Sequence, residues 1–314
     1  MGHYILKRII GAIPILLIVG VCAFFLVHLI PGDPALVMLG IEAPPEQVEV
    51  VRQEMGLDRP LHIQLLVWFG KIARGDLGNS YFLHRPVTEA IGERLPATLA
   101  LAILALIFGI IIGVPAGIIA AVKQNSWTDQ LVMTLALAGV SMPSFWLGLT
   151  LMMVFAVQLG YFPTGGYVPV TENLIESARH MALPVMSLGF MQAALVARMT
   201  RSSMLEVLRQ DYIRTARAKG ISDRIVVLKH ALRNAAVPIL TVTGTGFGVL
   251  LGGSAITETV FTYPGIGRLV VLAVQRRDYP LVQGVILTTA LLCVLVNITV
   301  DIAYCIVDPR IEYD

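Results

Sequence analysis

The side chains best equipped for chemistry in this chain are six histidines (His3, His28, His62, His84, His180 and His230) and three cysteines (Cys22, Cys293 and Cys305). Their spacing serves no reaction. A zinc site needs ligands that converge, on one helical face or in a short Cys-x-x-Cys clasp, and these histidines are scattered with no two placed as paired ligands. His62 and His180 each follow an acid by four residues (Asp58 and Glu176), a pattern that reads as a surface contact. His28 closes the first apolar run, where a polar interfacial role suits it. The cysteines fall within or at the ends of apolar runs and read as small apolar fillers. His-Glu-x-x-His and Gly-x-Ser-x-Gly are absent, and the one Gly-Lys pair, Gly70-Lys71, runs into Ile72 without the earlier glycine of a phosphate loop. The sequence supports no catalytic, metal or cofactor site.

The densest polar chemistry lies elsewhere. From Arg198 to Arg233 stand nine Lys/Arg against three acids (Glu206, Asp211 and Asp223), in a chain whose formal net charge is only +2. Asp211-Tyr-Ile-Arg-Thr-Ala-Arg-Ala-Lys-Gly220 reads as a short helix ended at Gly220, because glycine takes the left-handed conformation that closes a helix. A second helix follows, with Ser222 placed to cap it. Two readings fit such a helix–Gly–helix element: a docking knob for a partner, or a cytosolic loop kept basic by membrane topology alone. The near-neutral overall charge argues against a nucleic-acid partner.

What must position that stretch is a membrane domain. The 314 residues are 56% hydrophobic and 14% charged, with mean hydropathy +0.77, where a soluble domain carries roughly 25% charged residues. Segments of roughly 20 apolar residues predict six transmembrane helices over residues 9–30, 97–122, 131–159, 181–196, 235–256 and 281–300. The first has 22 residues and no small-x-small site after it, which suits a retained span rather than a cleaved signal. The fourth is the weakest, short and interrupted by Pro184 and Gly189, as a tilted or protein-enclosed helix would be. Lys7, Arg8, Lys123 and the basic residues of 198–234 fall on one side, so the positive-inside rule places both termini and that loop in the cytosol.

Other features belong to this frame. Gly109, Gly113 and Gly117 recur every four residues in the second span, as do Gly244, Gly248 and Gly252 in the fifth. Such stripes let helix backbones approach closely in lipid, either within the chain or against a second subunit. Ser141-Met-Pro-Ser-Phe-Trp146 breaks the third span near its middle, and Ser141, Pro143, Phe145 and Trp146 are candidates for a pathway or gate. Asn297 and Asp301 share a face of the last span, where Asp301 reads as an interfacial charge. Residues 31–96 form a long outer loop after the first span, acidic overall, with helices predicted over 44–56 and 61–73. Residues 267–274 read as a short interfacial or re-entrant helix.

At this point the residues carry a family. The loop 198–234 resembles the cytosolic "EAA" loop of inner-membrane permeases in bacterial ABC importers. More narrowly, Asp211-Tyr-Ile-Arg-Thr-Ala-Arg-Ala-Lys-Gly220 and His230-Ala-Leu-Arg-Asn234 are similar to the dipeptide, oligopeptide and nickel group, which also includes glutathione permeases. His28-Leu-Ile-Pro-Gly-Asp-Pro34, Tyr263-Pro-Gly-Ile-Gly-Arg268, Arg277-Asp-Tyr-Pro280 and Val307-Asp-Pro-Arg-Ile311 extend the resemblance over nearly the whole chain. Of the broad Glu-Ala-Ala-x-x-x-Gly pattern only Ala216 and Gly220 match; Arg214 stands where that pattern has its acid.

The resemblance implies an all-α integral membrane protein that forms a single permease domain over 1–314, importing di- or oligopeptides or a related small solute. It implies a homologous second permease, two cytosolic ATPase subunits that bind the ATP and magnesium, an external or periplasmic substrate-binding protein, and a setting in the lipid of the bacterial inner membrane. It further implies that Arg214, Thr215, Ala216, Arg217, Ala218, Lys219 and Gly220 couple the chain to those ATPases. In that arrangement Ala216, Ala218 and Gly220 allow close approach, and Arg214, Arg217 and Lys219 face acids. An ion- or proton-coupled carrier acting alone is the alternative; it would be expected to show inverted repeats and ionisable residues at the membrane midplane, neither of which is evident here.

Overall fold

A computed structural model describes residues 2–29, 34–40, 43–54 and 56–307; residues 30–33 and 308–311, which carry parts of two motifs quoted above, lie outside that set. In chain order come α1 (Gly2–His28), α2 (Pro34–Leu39), α3 (Pro45–Glu54) and α4 (Leu61–Ile72), then a two-stranded antiparallel pair, β1 (Asn79–Ser80) with β2 (Arg85–Pro86). The long α5 (Val87–Val122) follows, then α6 (Trp127–Ser141), and α7 (Ser144–Leu151) continued as a π-helical stretch to Gln158. After α8 (Leu174–Leu208) and α9 (Asp211–Ala218), α10 (Asp223–Ile225) passes through a π-helical stretch, Val226–Ala231, into α11 (Leu232–Val260). α12 (Ile266–Gln275) and α13 (Tyr279–Val307) complete the order. Among the described residues four helices are long and apolar enough to cross a membrane: Val87–Val122, Leu174–Leu208, Asp223–Val260 and Tyr279–Ile302. They become five if α6 and α7 with its continuation count as one bent span; the apolar part of α1, Ile10–Leu26, is shorter.

The chain divides into two compact units, Met1–Pro96 with Pro264–Val294 and Ala97–Tyr263 with Leu295–Asp314. In the first, α3 ends where Gly56 takes φ +69 and the Leu57 N–H donates to Arg52 O at 2.9 Å. Its Val48 and Val51 close on Ala35 of α2. Trp68 of α4 turns its ring to Phe24 of α1, centroids 5.7 Å apart. The helix predicted over 267–274 is α12, which is amphipathic and buries Ile266, Leu269 and Ala273 against Val87, Ile91, Leu281 and Val285.

Asp278 organises the turn into α13. Its carboxylate accepts the Leu281 N–H at 3.2 Å, a cap on that helix, and also the Ser80 hydroxyl at 2.6 Å and the Phe82 N–H at 3.0 Å. This explains Arg277-Asp-Tyr-Pro280 physically: an acid caps, and a proline sits in the first turn, where its missing N–H costs nothing. Asp278→Ala strands three donors at a residue that is almost wholly buried. The expected loss is about 2–4 kcal/mol, read as a lower melting temperature in detergent, while Asp278→Asn should lose less.

In the second unit α8 is the axis. Some 61% of its apolar window is buried, against 39% for α5 and 6% for α13, so the span with the weakest hydropathy is the most enclosed. Buried Ser187, Gln192, Thr200 and Ser203 lower its hydropathy, and enclosure by protein makes them tolerable. Close packing on α8 comes from α5: a Cβ added at Gly109 would lie 2.7 Å from Gln192 Cγ, at Gly113 2.6 Å from the Ala193 carbonyl, and at Gly117 2.6 Å from the Ala197 carbonyl. The α11 stripe has a different environment. Gly244 lies against Val300, whereas a Cβ added at Gly248 or Gly252 would meet nothing within 4 Å among the described residues.

α6 and the helix that follows meet at 103°, a break rather than the kink expected within 131–159. Met142, preceding a proline, is pushed to the extended region (φ −83, ψ 126), and Pro143 cannot donate to the helix behind it. The Ser187 hydroxyl donates to the Ser144 carbonyl at 2.6 Å, fixing the start of α7 to α8.

Candidate functional site

The strongly amphipathic α9 sits between α8 and α10. Ile213 and Ala216 point inward, packed with Met204 of α8 and with Val226, Val227 and Ala231 of the π-helical stretch. Arg214, Thr215, Arg217, Ala218, Lys219 and Gly220 are exposed. Ala216 therefore holds α9 to its own chain, while Ala218 and Gly220 remain exposed. The Tyr212 phenol, its pKa raised by burial and partly offset by a hydrogen bond with Asn234, ties α9 to the first turns of α11. Asn234 in turn donates to the His230 carbonyl at 2.8 Å, which gives His230-Ala-Leu-Arg-Asn234 a local role.

Gly220 closes α9 with a six-residue capping arrangement. Its φ is +77; its N–H donates to Arg217 O at 2.9 Å, and the Ile221 N–H reaches back to Ala216 O at 3.3 Å. Ile221 packs partly buried against the same core as Ala216, the hydrophobic contact that accompanies this cap. Ser222 departs from expectation: its side chain makes no cap bond, and its carbonyl instead accepts from Ile225 at 2.9 Å and Val226 at 3.0 Å.

The charges are largely presented to solvent. Arg217 meets Asp223 at 3.0 Å across the Gly220 turn, and Arg214 meets Asp211 at 3.5 Å, but all four side chains are exposed. Such pairs are screened and contribute little, so both guanidinium groups can be recruited by a stronger anionic partner. Arg201, one of the nine basic residues, is used differently: Nε and Nη2 grip Asp129 of α6 at 2.5 and 2.7 Å. Spacing alone does not mark Asp129 as a functional residue, although Ser126-Trp-Thr-Asp129 before an apolar run is a helix-start signature.

Of the gate candidates, Ser141, Pro143, Phe145 and Trp146 are all exposed at the 103° break, on a face that nothing in the chain covers among the described residues. No group of three or more His, Cys, Asp or Glu able to hold a metal ion occurs among the described residues. Cys22 and Cys293 are free.

Several apolar helices long enough to cross a membrane, with the charged, amphipathic α9 between α8 and α11, are features of a multi-pass membrane protein. Residues 113–313 match the model for "binding-protein-dependent transport system inner membrane component", and residues 1–102 match that for the N-terminal part of such membrane components. The chain belongs to this family of inner-membrane permeases of ABC transporters. It is 49% identical over 314 residues, the full length of both chains, to a Brucella suis protein named as a putative peptide transport system permease. Likewise it is 47% identical over 313 residues, with 100% of each chain covered, to the glutathione transport system permease protein GsiC of Salmonella typhimurium. Its fold is similar to a chain of the inward-facing MetNI methionine ABC transporter, with TM-score 0.56 and 20% identity over 69% of this chain and 96% of that one.

Proposed function

We propose that this chain imports short peptides or a closely related solute such as glutathione, and that α9 with Gly220 is the element through which separate ATPase subunits drive it. The observation that carries the coupling role is α9 itself, seated on the core by Ile213 and Ala216 while presenting Arg214, Thr215, Ala218 and Lys219 outward. A small helix fixed in this way transmits a rigid-body movement that a flexible loop would dissipate. The substrate class is supported by full-length relatives named for peptide and glutathione transport.

In this reading α1, α5, the bent α6–α7 pair, α8, the run through α11, and α13 make six crossings of a single permease domain. The basic loop and both termini face the cytosol, and residues 31–96 lie outside. The complete importer pairs this chain with a homologous second permease, two ATPase subunits that bind ATP and magnesium, and an external binding protein. Residues at the 103° break, Phe145 and Trp146 among them, face the pathway or the second permease.

The test is reconstitution of the complete transporter in liposomes. Glutathione and a panel of di- to pentapeptides, offered with the binding protein, should accumulate only with ATP inside the compartment occupied by the ATPases. Accumulation by this chain alone, driven by a proton or sodium gradient, would overturn the reading.

A further inference from the structure

The 103° break between α6 and α7 matters to transport only if something moves one of its halves. α6 packs along α8, and at its first turn an ionic fork ties the two helices together. The Asp129 side chain is 4% exposed and accepts Nε and Nη2 of Arg201, itself 25% exposed, while also accepting the Asn125 backbone N–H at 2.9 Å. Two parallel hydrogen bonds from a planar guanidinium fix orientation as well as distance.

Stability alone is a poor reason for such a pair. Desolvating both charges offsets most of their attraction, and an apolar contact would hold the helices at least as firmly. What the fork adds is direction: α6 cannot rotate or slide against α8 without breaking it. On α8, Arg201 lies one turn before Met204, which is fully buried against Ile213 and Ala216 of α9. The same turn of α8 thus meets α9 through Met204 and grips α6 through Arg201. α6 then runs directly to Met142–Pro143 and the break beside exposed Phe145 and Trp146.

We propose that Arg201 and Asp129 are positioning residues of the import cycle, whose fork carries displacement of α9 into α6 and so to the break at Pro143. This rests on α9 being the ATPase-coupling element. In this proposal both act through the helices they join.

The complete transporter in liposomes tests it, with ATP hydrolysis measured with and without the binding protein. Arg201→Lys keeps the charge and loses the fork; Asp129→Asn keeps the shape and loses the charge. Both should still co-purify with the ATPase subunits and hydrolyse ATP at the unstimulated rate. Stimulation by the binding protein should fall about tenfold, within the range of ordinary coupling free energies. A purely structural pair would instead lower assembly and melting temperature and leave stimulation per assembled complex unchanged, and that result overturns the proposal. Should Asp129→Asn fail to assemble, Arg201→Lys decides, and wild-type stimulation in that variant is equally fatal. A wild-type complex that shows no stimulation at all would sink the α9 reading itself, an outcome distinct from loss in the variants.

Discussion

Replacing Gly113 by leucine should separate α5 from α8 and leave little folded protein in the membrane. Even the first added atom has nowhere to go: a Cβ at this position lies 2.6 Å from the Ala193 carbonyl and 2.8 Å from Val196 Cβ. A flexible side chain could move aside, but a backbone carbonyl inside a helix cannot. The helices must part, and the loosened packing along the rest of the Gly109–Gly117 seam adds to the cost. Overpacking of this kind costs about 3 kcal/mol or more, which for a chain of this size lowers the melting temperature by about 4 °C or more. Gly113→Ala should show a smaller loss in the same direction. Gly248→Leu is the matched control, since nothing lies within 4 Å of the position; the isolated chain in detergent should melt as wild type. Measured in the assembled transporter, Gly248→Leu then asks a further question. A loss of assembly there would assign the Gly248–Gly252 face to the second permease, and no change would assign it to lipid.

The two glycine stripes show what the sequence can and cannot convey. Their four-residue repeat is the same, and it marks a face on which backbones can approach. Whether a helix of the same chain occupies that face depends on tertiary placement, so Gly109, Gly113 and Gly117 meet α8 while a Cβ added at half-buried Gly248 or exposed Gly252 meets no described residue within 4 Å. Hydropathy has a similar blind spot. It measures fitness for lipid, so α8, shielded by protein, reads as the weakest span and yet is the most enclosed. Local chemistry is legible where it is local. α3, α4 and α12 fall close to their predicted positions, because proline entry, glycine exit and apolar spacing act within a few residues. The break at Pro143 is legible as a residue type, but its 103° angle is not, since Ser187 of α8 helps fix where α7 starts. Ionic partners are least legible of all. Arg201 and Asp129 are 72 residues apart, and Asp278 and Ser80 are 198 apart. Nothing in a local window pairs them.

That difference also alters how the basic stretch is understood. Nine Lys/Arg suggest a uniformly charged surface. In the fold, Arg201 is half-buried and faces α6, while Arg198, Arg209, Arg214, Arg217, Lys219, Arg224, Lys229 and Arg233 are exposed. One of the nine is thus spent on an internal contact, and the other eight stay at the surface.

Gly220 closes α9, and Gly220→Val should uncouple ATP hydrolysis from uptake while leaving the chain in the membrane. With φ at +77 and no heavy atom within 4 Å of an added Cβ, the position has space but the wrong backbone for an L side chain. The left-handed conformation costs such a residue about 1–2 kcal/mol, and a β-branched one more. That is enough to depopulate the cap about tenfold or more, because about 1.4 kcal/mol is a factor of ten. The bonds from Gly220 to Arg217 and from Ile221 to Ala216 open together, and α9 loses the fixed end on which its proposed coupling role depends. Uptake per ATP hydrolysed in liposomes should fall about tenfold, with total protein and ATPase co-purification close to wild type. Gly220→Asn separates two explanations for this loss. Asparagine visits the left-handed region more readily than other non-glycine residues, so it should retain most coupling if backbone conformation is what matters. If instead a partner must approach the bare Gly220 backbone, Asn will fail as badly as Val. Equal uptake per ATP in Gly220→Val and wild type would remove Gly220, and with it the capped end of α9, from the coupling path.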